Sequence, residues 1–103
     1  MEFIQREAIL TEMNHSLQEM LEKYDLDDVG IFQEEGEGND YYLGYTVRKN
    51  GEVYMIHQKF RKDEQGNLAT SEQSWVIECV DGDSRGYENL DAVFSHLNTT
   101  MEH

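Results

Sequence analysis

Asn50-Gly51 stands between two runs of alternating apolar and polar residues, and no other feature of this 103-residue chain restricts its fold as much. A type I′ turn needs positive φ at both central positions, which asparagine and glycine tolerate and branched residues do not. A two-residue turn here sets the register of an antiparallel hairpin: Lys49 pairs with Glu52, Val47 with Tyr54, Tyr45 with Ile56, Leu43 with Gln58 and Tyr41 with Phe60. One face then carries Tyr41, Leu43, Tyr45, Val47, Tyr54, Ile56 and Phe60, interrupted only by Gln58. The other carries Tyr42, Gly44, Thr46 and Arg48 beside Val53, Met55, His57, Lys59 and Arg61. An apolar sheet face of this size must be covered by another layer.

Two amphipathic segments are available to cover it. Leu10, Met13, Leu17, Met20, Leu21 and Tyr24 recur at three-and-four spacing and predict a helix over about 4–24, supported by the i,i+4 pairs Glu2 with Arg6 and Glu19 with Lys23. Tyr87, Leu90, Val93, Phe94, Leu97 and Met101 predict a second over about 86–98. Between them, strands are expected at about 29–34, 41–49, 52–62 and 68–80. The last has Trp75, Ile77 and Cys79 on its more apolar side. The stretch from Glu34 to Asp40 reads as a polar loop, Asp63 to Asn67 as a turn, and Asp81 to Gly86 as a turn with Asp and Ser cap candidates. Residues 1–103 together read as one α+β domain, a four-stranded antiparallel meander with the N- and C-terminal helices on one face. In this two-layer sandwich the second sheet face stays in solvent.

Charge is unevenly spread along the chain. The first forty residues hold twelve acids against Arg6 and Lys23, whereas residues 41–62 hold five bases against Glu52. The remainder returns to acid, giving a net charge of −14. The basic block coincides with the hairpin, so a cationic sheet face is expected within an anionic molecule. The overall field repels phosphate at range and argues against direct nucleic-acid binding. No apolar run reaches the ~20 residues needed to span a bilayer, and the N-terminus lacks the pattern of a signal peptide. With Cys79 the sole cysteine, no intramolecular disulfide is available, and a cytoplasmic location without membrane contact is expected.

Motifs that would carry chemistry fail on inspection. Asp25-Leu26-Asp27-Asp28-Val29-Gly30 begins like a calcium loop but puts Val29 at a ligand position, and Gly36 stands where the bidentate glutamate belongs. The segment from Asp81 fails similarly at Arg85 and Ala92. Glu34, Glu35, Glu37 and Asp40 form an acidic loop read as solvated. His15, His57, His96 and His103 lack paired metal spacing, so neither metal nor cofactor is expected. Strand parity turns Cys79 toward the helices and His57 away, against a Cys–His nucleophilic pair, and no catalytic residue is assigned.

The sharpest constellation is the open sheet face with Tyr42, Arg48, His57, Lys59 and Arg61. It suggests a non-enzymatic acidic binding or regulatory module that engages a cytosolic protein, as a monomer or as a homodimer through the first helix. One alternative is a nucleic-acid mimic that presents Glu7, Glu19, Glu22, Asp25, Asp27 and Asp28 as a phosphate-like row to a basic nucleic-acid-binding protein. Another is a binder of small anionic ligands, or an enzyme, with His57 as general base and Arg48, Lys59 or Arg61 gripping the anion.

The unit from Tyr41 to Phe60 and the helix start Tyr87-Glu88-Asn89-Leu90-Asp91 resemble small uncharacterised cytosolic α+β proteins of Bacillus-type Gram-positive bacteria. The resemblance covers about two thirds of the chain at the level of pattern. It implies a domain of unknown function with a short antiparallel sheet between two terminal helices, and it carries over no functional residue.

Overall fold

The structure is a computed structural model that describes residues 2–79 and 82–101. In chain order its elements are α1 (Arg6–Lys23), β1 (Asp28–Glu35), β2 (Asp40–Lys49), β3 (Glu52–Lys62), β4 (Leu68–Cys79), β5 (Gly82–Tyr87) and α2 (Leu90–Met101). The class is α+β. The strands form one antiparallel sheet in the order β1-β2-β3-β4-β5. All five expected hairpin pairs occur between β2 and β3, and Asn50 and Gly51 take φ of 53° and 83°, the left-handed values that the turn requires.

The sheet has five strands rather than the expected four. Residues 82–87 carry turn residues in abundance, yet they run antiparallel to β4, with Cys79 opposite Gly82 and Trp75 opposite Tyr87. An edge strand uses its ladder hydrogen bonds on one side only, so a polar, glycine-containing segment can serve there when the preceding strand presents an unpaired edge. The second helix therefore begins at Leu90, not near residue 86. Its cap is Asn89, whose Oδ1 accepts from the backbone N–H of Ala92 at 2.8 Å. Val80 and Asp81, at the expected end of the fourth strand and start of the following turn, lie outside the described residues, as does His103.

β1 is also longer than expected. Glu34 and Glu35 pair with Tyr42 and Tyr41, which shortens the acidic loop to a tight connection closed by the N–H of Gly36 donating to the carbonyl of Asp40 at 3.0 Å. At the same end of the sheet, the backbone of Ile4 exchanges two 2.8 Å hydrogen bonds with Leu68, the first residue of β4.

Odd-numbered side chains of β2 and even-numbered ones of β3 build the core. Tyr45, Val47, Tyr54 and Ile56 cluster with Ile77 of β4, Met20 of α1, and Val93, Phe94 and Leu97 of α2. Met13, Leu17, Leu21 and Tyr24 pack against this cluster, as the three-and-four spacing requires. Burying each large apolar side chain contributes about 1.5–3 kcal/mol. A second cluster gathers Tyr41, Leu43, Phe60 and Leu68 against Ile9 and Leu10.

Polar contacts hold the end of α1. Asp25 turns left-handed at φ 54°, and the N–H of Leu26 reaches back to the carbonyl of Leu21 at 3.0 Å, a Schellman closure with aspartate in the usual glycine place. The Tyr24 ring stacks on Phe94 at 4.0 Å, and its hydroxyl donates to Asp91, which Lys23 also approaches at 3.2 Å. The Tyr24 hydrogen bond and then Lys23 hold the Asp91 carboxyl below its ordinary value, while burial and then Asp91 push the Tyr24 phenol up.

Candidate functional site

The register stacks residues of the open face into rows that cross four strands. Phe32, Gly44, His57 and Val76 make one row, and Glu34, Tyr42, Lys59 and Glu72 make the next. Gly30, Thr46, Met55 and Glu78 form the row on the other side. Around the first two rows the face is not flat. Tyr42, His57, Lys59, Glu72 and Glu78 line a hollow of about 370 Å³, together with Ser74, Val76 and the β1 end at Glu34 to Gly36.

Two local irregularities make this hollow. Gly44 lies so close to β3 that a β-carbon built on it would fall 1.8 Å from the carbonyl oxygen of Ile56. Lacking a side chain there, β2 lets the Phe32 ring of β1 reach the His57 ring of β3, 5.6 Å between centroids. On the other side the ladder slips. Between the pairs His57 with Val76 and Lys59 with Glu72, β4 has three residues against Gln58 alone. The Gln58 side chain donates to the freed carbonyl of Gln73 at 2.7 Å, which accounts for the polar residue in an otherwise apolar face of the hairpin.

His57 is the most enclosed polar group on this face. Its side chain is 9% exposed, between the stacked Phe32 ring and the edge of Tyr42 at 5.4 Å. Nε2 lies 3.4 Å from Oε2 of Glu78, and Nδ1 is buried with no hydrogen-bond partner. A buried ring nitrogen left without a partner is costly in an ordinary core. Tyr42 owes its position partly to Gly36, where a β-carbon would come within 2.7 Å of the Tyr42 ring.

Of the five residues that the sequence marks on the open face, the fold brings Tyr42, His57 and Lys59 together in the hollow. Arg48 and Arg61 are exposed on the same face but do not line it. The basic block as a whole is divided by strand parity. Lys49 and Lys62 belong to the inner-face register, Lys62 lying 3.1 Å from Glu35 and Lys49 being buried. Lys59 lies 3.6 Å from Asp40. Acids from the flanking strands, Glu34, Glu72 and Glu78, complete the hollow, so it is anionic where the hairpin by itself suggests a cationic face.

Those flanking acids and Phe32 escaped the sequence reading. For Glu78 a signal existed, because placing Trp75 and Ile77 inward turns Val76 and Glu78 outward by alternation. Glu34 stands at the boundary between the expected strand and the acidic loop, and the bulge brings Glu72 opposite Lys59. The calcium-like run from Asp25 to Gly30 forms the connection after α1 and the start of β1, with Leu26 in the core. Among the described residues, no group of three or more His, Cys, Asp or Glu side chains is placed to hold a metal ion, and no helix is long and apolar enough to cross a membrane. His57 faces Val76 in the ladder, with Cys79 three positions further along β4.

No curated protein matches the chain. The sequence profile of an uncharacterised domain family covers nearly all of the α+β unit described above, from residue 3 to residue 97, and the chain belongs to that family of unknown function (DUF5634).

Proposed function

We propose that this protein is a non-enzymatic binding or regulatory module that engages a cytosolic protein partner through its open sheet face, with the two helices layered over the inner face. The observation that carries the reading is the hollow itself. A polar depression floored by a nine-tenths-buried histidine with an unpartnered ring nitrogen is an expensive thing to build into a sheet, and binding explains the expense. The test is capture from a low-salt lysate by the wild type beside a Tyr42→Ala/Glu72→Gln variant, altered at two residues that line the hollow, whose circular dichroism is unchanged. A protein retained by the wild type and lost from the variant supports the reading; a protein retained equally by both contradicts it.

A second reading draws on the exposure of Glu7, Glu19, Glu22, Asp25, Asp27 and Asp28 along and just after α1. These acids would imitate a phosphate row for a basic nucleic-acid-binding protein. Such binding collapses as salt rises from 50 to 500 mM, because the Debye length shrinks from roughly 14 Å to roughly 4 Å. An affinity that stays flat over that range rules it out.

A further inference from the structure

We propose that the hollow seats an arginine side chain carried on a basic segment of the partner protein, the guanidinium lying beside the Tyr42 ring in the field of the Glu34, Glu72 and Glu78 carboxylates. This rests on the open face being the binding surface, as proposed above, and adds the chemistry of what it takes.

Charge complementarity decides the sign of the occupant. Four carboxylates and one ammonium line the hollow, and that ammonium, Lys59, already has Asp40 at 3.6 Å. Glu35 is matched by Lys62 on the inner side. Among the described residues, no cation pairs with Glu34 or Glu72, and both are exposed. A net charge of −14 on the whole chain draws cations toward this face from a distance.

Shape and donor pattern decide which cation. The acids are too dispersed for a metal ion to bridge them, and about 370 Å³ is far more room than an ammonium head fills. Guanidinium offers five donors and no acceptor in a planar fork, matching separate carboxylates in a way that a lysine point charge does not. The Tyr42 ring supplies an aromatic surface of the kind on which guanidinium groups lie. His57 lines the hollow, and its buried Nδ1 has no protein partner.

The test is an NMR titration of the full chain, labelled with nitrogen-15, using N-acetyl-arginine methylamide as probe. The lysine and citrulline analogues serve as comparators. Saturable shifts at the amides of Glu34, Tyr42, His57 and Glu78 are expected, with lysine binding at least about fivefold more weakly and the uncharged citrulline not at all. In a Glu72→Gln/Glu78→Gln variant the arginine response should fall at least about tenfold, as loss of two of the hollow's four carboxylate charges implies. Absent shifts, shifts confined to the exposed acids of α1, or equal responses to arginine and lysine overturn the inference. Because the comparison of analogues uses the wild type, it remains decisive even if the variant fails to fold. Capture that still depends on Tyr42 and Glu72 while the arginine titration fails would leave the binding face standing and remove only its assigned occupant.

Discussion

Lys49 and Tyr24, far apart in sequence, are joined by a 2.7 Å hydrogen bond from the lysine ammonium to the tyrosine carbonyl at the end of α1. The same ammonium donates to the carbonyl of Asp25 at 3.1 Å, so one buried cation satisfies the carbonyl of the helix cap and that of the residue after it. A residue of the basic block, which sequence alone assigns to the surface charge, thus fastens the first helix to the hairpin.

Replacing it should cost stability and leave the open face intact. Lys49→Met keeps most of the volume but strands both carbonyls, and a loss of about 1.5–3 kcal/mol is expected. Urea denaturation of the variant beside the wild type measures it; a loss below about 0.5 kcal/mol would mean that water satisfies the helix end equally well.

Gly44 and Gly30 lie on neighbouring strands of the same face but differ in what surrounds them. A β-carbon at Gly44 would collide with β3 backbone, whereas one at Gly30 meets nothing within 4 Å. Gly44→Ala should therefore destabilise the protein by about 3 kcal/mol or prevent folding, and Gly30→Ala should change stability by less than about 1 kcal/mol. Thermal unfolding of the pair reads the contrast directly.

The contact of Asp91 with Tyr24 and Lys23 has a defined pH dependence. The folded-state carboxyl lies below the ordinary 3.8, so its stabilisation is present above that value and is lost as pH falls through the lower folded-state value. Lys23 is raised above 10.5 chiefly by Asp91, so its share is present below 10.5 and is lost as pH rises through its folded-state value. The stability difference between wild type and Asp91→Asn should hold a plateau through neutral pH and shrink at both ends. Equilibrium denaturation at pH 2.5, 7 and 11 checks this; a difference independent of pH would contradict it.

The hairpin was legible because turn chemistry and alternation act within some twenty residues. The Asn50-Gly51 turn fixes the register, and the register fixes which side chains face the core. Both helical stripes were legible for the same local reason. β5 was not, since Gly82 to Tyr87 becomes a strand only because β4 offers it an edge. The hollow was half legible. Tyr42, His57 and Lys59 follow from hairpin parity, but Phe32 reaches His57 only through the pairing of β1 with β2 across Gly44, and Glu34 joins them where β1 continues past its apolar residues. Glu72 depends on a bulge that shifts the pairing of β4 by residues no propensity marks. The inward turn of Lys49 is implied by the same parity, yet its burial depends on the helix end that meets it.

The binding face is tested most directly by the affinity of a purified captured partner for variants on two sides of the molecule. Tyr42→Ala and Glu78→Gln alter the hollow; Glu19→Lys/Glu22→Lys alters the exposed acids of α1. The hollow variants should weaken binding by at least about tenfold, the scale of a central contact, and the helix variant by less than about threefold. Full affinity in both hollow variants, with loss in the helix variant, would contradict the assignment and move the binding surface to α1.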